Sequence, residues 1–174
     1  MCLLFSKNKK KARVVLFFKN MKKYEIVKDY VYSQYSKISY EPLKTAAYTH
    51  TAMVDASITL LAISRNIRIE RAKICALFHD YAQFVDNCPH DQHAKLSSLY
   101  CSQFLRQTEL FKIYEIDDIC YAISRHSFKN KYDSPLCEAL KDADVMARFL
   151  ENPECELSDI EKQRLFKATA DIQK

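Results

Sequence analysis

The segment AKICALFHDYA, residues 72–82, ends an apolar helical pattern with a histidine and an aspartate. Ala72, Ala76 and His79 recur at intervals of four and three residues, so the pattern predicts a helix over about 68–83 with these side chains on one stripe. The five residues before His79 are all types that favour a protein core. Polar groups in such a position are costly unless they are paired or bind a metal. The segment therefore predicts a buried polar site at His79 and Asp80.

A further acidic residue lies on an apolar stripe later in the chain. Asp144 stands four residues after Leu140 and three before Ala147, in a helix predicted over about 135–151. Its carboxylate needs a cation as partner, and histidines on other predicted helices could hold one. One alternative is that Asp144 forms an ion pair with Arg125 or Arg148. Another is that Asp142 is the ligand in its place; otherwise Asp142 is a solvated neighbour.

The rest of the chain has the same helical periodicity. Glycine is absent and there are only four prolines, which disfavours a strand-rich fold with many tight turns. The patterns predict an all-α bundle of about six to seven helices, in a single domain over residues 22–174. Ser158 with Glu161 forms a capping-box pattern at the start of the last helix. The predicted helices span about 22–36, 42–64, 68–83, 91–106, 112–126, 135–151 and 159–172.

The net charge of +5 comes from the first residues of the chain. Residues 1–23 contain eight Lys and Arg and no acid, which leaves 19 basic and 22 acidic residues in the remainder. We describe residues 1–21 as a basic extension, and three interpretations stay open: an arm for nucleic acid or an anionic membrane, a disordered solvated tail, or an over-called start before Met21. The near-neutral body makes nucleic-acid binding the less favoured function.

The cysteine pattern indicates a reducing compartment. The seven cysteines are an odd number and include no C-x-x-C pair, which disfavours a disulfide framework and a thiolate zinc site. The sequence has neither a secretory signal pattern nor an apolar run of about 18 residues, so we predict no membrane span and a cytoplasmic protein.

The candidate ligands have a metal preference. Imidazole and carboxylate without thiolate suit Mn, Fe, Co, Ni or Zn, whereas Mg accepts the carboxylates better than the imidazoles. Such an ion can polarise a phosphoryl oxygen and lower the pKa of a bound water, which is the chemistry of phosphoester or phosphoanhydride hydrolysis.

The order of these residues resembles the H…HD…D signature of the HD superfamily of metal-dependent phosphohydrolases. His50 in YTHT (residues 48–51), the segment ALFHDYA (76–82) and the segment KDADVM (141–146) are similar to the three family motifs. The likeness covers about residues 45–150. It implies an HD-domain helical bundle in which one divalent ion is bound by four residues: His50, His79, Asp80 and Asp144.

Two further histidines resemble the ligands of a subgroup with two metals. His93 begins HAKLSS (93–98), and His126 stands in AISRHSF (122–128), a segment similar to one in small stand-alone bacterial HD proteins. In that subgroup His93 and His126 would hold a second ion and Asp80 would bridge both. The likeness also extends to the branch that hydrolyses diadenosine tetraphosphate. His90, in the preceding loop, is interpreted as a residue without a special role.

The sequence departs from the family at two positions where a cation is common. Gln83 and Val145 are neutral. Charge for a phosphate would then come from elsewhere, and we predict Arg125 and Lys95 as substrate-binding residues together with His126. Lys129 and Arg148 are further candidates.

We therefore expect a metal-dependent phosphohydrolase with one or two divalent ions, in which His79 and Asp80 are catalytic. The expected substrate is a small phosphate ester or a nucleotide or dinucleotide polyphosphate, and the assembly a monomer or homodimer. The first alternative is a degenerate HD fold that binds a nucleotide as a sensor or scaffold without catalysis. The second is a nucleic-acid-binding module that uses the basic extension.

Overall fold

The computed structural model describes residues 21–173, and within this span the chain forms helices joined by short loops, without strands. The all-helical fold class is confirmed. Predictions about the basic extension fall on residues 1–20 and lie outside the described residues. The described helices are α1 (Lys22–Tyr35), α2 (Glu41–Ser64), α3 (Ile69–Phe78), α4 (Tyr81–Asp86), α5 (His93–Gln107), α6 (Ile113–Arg125), α7 (Pro135–Glu151) and α8 (Asp159–Ile172).

The predicted helix over residues 68–83 is in fact two helices, which raises the number in the described chain to eight. α3 ends at Phe78 and α4 begins at Tyr81, and between them Asp80 has φ −109° and ψ 14°. Successive residues of a continuous helix point about 100° apart. The break lets His79 and Asp80 face one common site, where His79 Nε2 lies 3.4 Å from Asp80 Oδ2.

α3 forms the centre of the core. Its residues from Ile74 to Phe78 are fully buried, and it packs against α1, α2, α6 and α7. Each large apolar side chain buried this way stabilises the fold by roughly 1.5–3 kcal/mol. The most extensive helix pair is α2 with α7, which carry His50 and Asp144 respectively. The packing of α2, α3 and α7 against one another therefore fixes the positions of His50, His79 and Asp144.

α8 packs against α7, and the contacts between them overturn one prediction. Asp142 is not a solvated neighbour of Asp144, because its side chain is fully buried. Its carboxylate accepts hydrogen bonds from Arg65 Nη2 and Arg164 Nη1, both at 2.7 Å. The predicted capping box at Ser158 and Glu161, which begins α8, is confirmed. Asp142 thus forms structural ion pairs that join α7 to its neighbours. Sequence periodicity could not distinguish such a buried acid from an exposed one.

The loops bend without glycine. Asn66, Asn87 and Glu109 have positive φ of 56°, 48° and 55°, close after the ends of α2, α4 and α5. This left-handed conformation usually falls to glycine or asparagine, and a chain without glycine uses asparagine at two of the three positions.

Candidate metal centre

Asp80 lies at the centre of a cluster of four histidines. The two carboxylate oxygens face different histidine pairs: Oδ2 lies 3.4 Å from His79 Nε2 and 3.6 Å from His50 Nε2. Oδ1 lies 3.1 Å from His126 Nε2 and 3.2 Å from His93 Nε2. One carboxylate therefore joins two groups of nitrogen atoms.

The first half of the cluster combines three helices. The Nε2 atoms of His50 and His79 are 3.1 Å apart, and Asp144 Oδ1 lies 3.4 Å from His50 Nε2. His50, from the middle of α2, meets His79, from the end of α3, and Asp144, from α7. The structure thus brings together the four residues that the sequence pattern selected.

The second half is built by the ends of α5 and α6. His93 is the first residue of α5, His126 directly follows α6, and their Nε2 atoms are 3.1 Å apart. Ser127 Oγ lies 3.2 Å from His93 Nε2. The rings of His93 and His126 are almost completely buried, so this half is shielded from bulk water.

Every ring of the cluster is held through Nδ1. His79 and His126 donate to the carbonyl oxygens of the residues three positions earlier, at 2.8 Å and 2.7 Å, and His93 donates to that of His90 in the same way. His50 donates to Glu151 Oε1 at 2.9 Å. Because these oxygens can only accept, each Nδ1 carries a proton, and Nε2 is the ring atom that faces the cluster and can bind a metal once it carries no proton of its own.

This arrangement fits a divalent cation. Opposed lone pairs 3.1 Å apart repel each other, and so does a lone pair beside a carboxylate, unless a cation or an added proton lies between them. Metal-bound histidines have the same pattern, with Nδ1 bound to an outer oxygen and Nε2 free. Each of two groups, His50–His79–Asp80 and Asp80–His93–His126, places its ligand atoms within 4.8 Å of one another and could hold an ion.

The electrostatics agree with a site built for positive charge. Burial favours the neutral form of Asp80, yet His79, His126 and His93 hold the pKa of its carboxyl well below its usual range. Burial likewise opposes ionisation of Asp144, but Lys129 and His50 lower its pKa well below the usual range. Both acids are therefore carboxylates at neutral pH.

The histidines respond to this charge in different directions. Burial opposes the charged form of His50, but its hydrogen bonds with Asp144 and Glu151 raise its pKa to about 10. Burial lowers the pKa of His126, more than its hydrogen bond to Asp80 compensates. For His93, the bond to Asp80 outweighs burial and raises the pKa.

In the described part of the chain, Lys129 places a cation beside the cluster. Its ammonium donates to Asp144 Oδ2 and, at 2.8 Å, to the carbonyl of His126. Asp144 thus pairs with Lys129, and with neither arginine that the sequence left open. Arg125 donates to Asp133 Oδ1 at 3.1 Å, and Arg148 binds Glu161.

Two residues predicted to bind substrate have other surroundings in the structure, and their role stays a prediction. The guanidinium of Arg125 pairs with Asp133 and stacks on the Phe128 ring at 4.6 Å. Lys95 is exposed and lies two residues after His93, on a different face of α5. Local spacing placed both near a ligand in sequence, but the direction of each side chain depends on the packed helices.

Sequence reasoning missed one residue and underrated another. Glu151 holds His50 by a side-chain hydrogen bond, and Lys129 was only one of several candidate cations. The available signal was helical spacing: Glu151 follows Asp144 by seven residues, which puts both on one face of α7.

The fold and this cluster define the class of helical domains that bind divalent metals through histidine and aspartate. The chain belongs to the HD domain family, whose sequence model matches residues 47–148. Members of this superfamily are generally metal-dependent hydrolases. All six candidate ligands lie within the matched residues.

The structure resembles a crystal structure described as a predicted HD superfamily hydrolase from an uncultured Thermotogales bacterium. The two align with a TM-score of 0.59 over 86% of this chain and 88% of the other, at 20% sequence identity, which supports the fold. A comparison with curated proteins found no match. None of these findings supports the likeness to the diadenosine tetraphosphate branch.

Among the described residues, none of the helices combines the length and apolar character that crossing a membrane requires.

Proposed function

We propose that this protein is a metal-dependent phosphohydrolase that acts on a nucleotide or dinucleotide polyphosphate and uses two divalent ions. The proposal rests on one observation: Asp80 directs each of its oxygens at a different pair of Nε2 atoms, and each pair is only 3.1 Å apart. The first ion would be held by His50, His79, Asp80 and Asp144, and the second by Asp80, His93 and His126.

A divalent ion supplies a Lewis acid for a phosphoryl oxygen and lowers the pKa of a coordinated water. The protein's part is to prepare the ligands. Asp80 and Asp144 remain ionised, since the pKa of each lies well below its usual range. The four rings are oriented before any ion binds, because each Nδ1 is already engaged. Such preorganisation avoids rearranging charged groups during the reaction.

Lys129 supports the assignment of a phosphate substrate. Its ammonium sits at the edge of the cluster, with a side chain 14% exposed, and now neutralises Asp144. We infer that an ion on Asp144 takes over this neutralisation, so that the Lys129 ammonium can donate to phosphate oxygens. A chain of phosphates, rather than a single ester, offers oxygens to the ions and to Lys129 together. Hence we favour polyphosphates.

We also propose a cytoplasmic location. The described cysteines are all free thiols, in keeping with a reducing compartment: Cys75, Cys88, Cys101, Cys120, Cys137 and Cys155.

The test is phosphate release by chelated protein reconstituted separately with Mn²⁺, Co²⁺, Ni²⁺, Zn²⁺ or Mg²⁺. Substrates should include p-nitrophenyl phosphate, nucleoside mono- and triphosphates, and diadenosine tetraphosphate. Asp80→Asn preserves shape while removing the bridging charge, and Asp117→Asn, at an exposed position on α6, is the matched control.

We expect release that requires an added ion, survives Asp117→Asn and is lost in Asp80→Asn with the helical circular dichroism unchanged. Full activity in Asp80→Asn would contradict the mechanism. Metal and nucleotide binding without turnover of any substrate would instead favour the sensor function. The neutral residues Gln83 and Val145, at positions where the family often has a cation, are consistent with that function.

A further inference from the structure

His50 differs from the other histidines of the cluster in how its ring is held. His79 and His126 lie at helix ends and His93 at a helix start, and all three use a nearby backbone carbonyl. His50 lies in the middle of α2, residues 41–64, where the carbonyls of its own helix already accept backbone hydrogen bonds. Its Nδ1 therefore needs an acceptor from outside the helix.

That acceptor is Glu151, the last residue of α7. Glu151 Oε1 lies 2.9 Å from His50 Nδ1, while Asp144 Oδ1 lies 3.4 Å from His50 Nε2. The two acids are seven residues apart on α7, which is two helical turns or about 10 Å of rise. Asp144 and Glu151, on one face of α7, thus contact the two nitrogen atoms of the His50 ring. The contact lies at the surface end of the site, with 12% of the His50 side chain and 29% of the Glu151 side chain exposed.

We propose that Glu151 is a positioning residue for the metal centre: it fixes the Nδ1–H tautomer and the orientation of His50, so that Nε2 presents its lone pair to the first ion. This inference rests on the proposed function for the identity of that ion. Glu151 contacts His50 through Nδ1, whereas His79 and Asp144 contact it through Nε2. It also lies outside the residues matched by the family model, which end at 148.

A carboxylate behind a metal-bound imidazole raises the basicity of the ring and restrains its rotation, and losing such a partner typically weakens metal affinity by about 10–100-fold. The effect should be confined to the first ion. His93 and His126 take their orientation from backbone carbonyls, which do not depend on Glu151.

The experiment is Mn²⁺ titration of the chelated full-length chain by calorimetry, with wild type, Glu151→Ala, Glu151→Gln and the control Glu154→Ala. Glu154 is an exposed acid three residues further on. We expect Glu151→Ala to weaken one binding step by about 10–100-fold and to leave the other within about twofold. Glu151→Gln keeps an acceptor oxygen without the charge, so its loss should be smaller, and Glu154→Ala should bind as wild type.

A second readout separates positioning from folding. In the Zn²⁺-loaded protein, histidine ¹⁵N shifts should show Nδ1–H for His50 in wild type and Glu151→Gln, and a mixture of tautomers or ring broadening in Glu151→Ala. If Glu151→Ala binds Mn²⁺ at both steps as tightly as wild type does, the positioning role of Glu151 is overturned, but the proposed function is not. Equal weakening of both steps would also overturn the positioning role, because that pattern indicates general destabilisation. A wild type that binds no Mn²⁺ would overturn the proposed function, and the positioning role with it.

Discussion

The Nε2 atoms of His93 and His126 lie 3.1 Å apart, although one ring starts α5 and the other follows α6. Both Nδ1 atoms are engaged with carbonyl oxygens, so neither ring can turn away from the other without losing its hydrogen bond to the backbone. The contact is stable only with positive charge between the rings.

The first prediction concerns the number of ions. His126→Ala removes one ligand of the second group and leaves His50, His79 and Asp144 intact, so the reconstituted protein should bind one Mn²⁺ per chain instead of two. Elemental analysis after gel filtration measures this. The control is His90→Ala, which removes an exposed ring that stacks on the His93 ring with centroids 4.8 Å apart. The variant keeps the residue-90 carbonyl that accepts the hydrogen bond from His93 Nδ1. Two ions retained in His126→Ala would exclude the second site.

The second prediction concerns Lys129 as the phosphate contact. Lys129→Met keeps the length of the side chain and removes the charge, so KM for the best substrate should rise about 10–100-fold, which corresponds to one charged hydrogen bond of roughly 1.5–3 kcal/mol. The change in kcat should be smaller. Lys131→Met is the matched control, since the Lys131 ammonium lies 5.3 Å from the Phe128 ring. If steady-state kinetics of both variants agree with wild type, Lys129 serves only as the partner of Asp144.

The third prediction concerns pH in the metal-free protein. The pKa of His50 is raised from 6.5 to about 10 by hydrogen bonds with Asp144 and Glu151, against the effect of burial. A raised pKa means that the folded state holds this proton more tightly than the unfolded chain. The stabilising contribution is therefore complete below about pH 6.5 and is lost as the pH rises through about 10.

Thermal unfolding of the chelated protein between pH 6.5 and 10 measures this loss, which His50→Gln should remove. Metal binding should have the opposite dependence, because an ion must displace the proton from His50 and so binds more tightly as the pH rises. A metal affinity that falls over this interval would contradict the protonation of His50 in the free site.

The fourth prediction concerns the buried Lys141, whose side chain is completely enclosed. Its ammonium donates to the Lys131 carbonyl at 2.7 Å, to Glu138 Oε1 at 2.9 Å and to Asp133. Lys141→Ala removes the buried cation that Asp133 and Glu138 share and leaves each acid with one arginine, Arg125 and Arg164 respectively. The free energy of unfolding should therefore fall by about 3 kcal/mol.

Urea denaturation of the metal-free protein is the measurement for Lys141. Lys162→Ala, which removes an exposed lysine 3.7 Å from Asp159, should change stability by less than about 1 kcal/mol. Equal stability of the two variants would show that the Lys141 network contributes nothing beyond surface charge.

The sequence by itself determined the helical fold and the candidate ligands. Seven predicted helices match the observed ones to within two residues except at 68–83, because apolar periodicity reports directly which face of a helix is buried. The same reasoning selected Asp80 and Asp144, since an acid on a buried stripe is costly without a cation. Among the predicted helix bounds, the break at His79 and Asp80 was the feature that periodicity missed, because a two-residue change of backbone angle leaves no periodic signal.

Only the tertiary structure decided which groups surround those ligands. Lys129, Arg125 and Lys95 look alike in the sequence as cations near a histidine, yet only Lys129 reaches Asp144, because the packing of α6 against α7 turns Arg125 toward Asp133. The link from Glu151 to His50 joins residues 101 positions apart. Such contacts depend on how whole helices cross. That geometry is fixed by the packed core, which lies beyond the reach of local spacing.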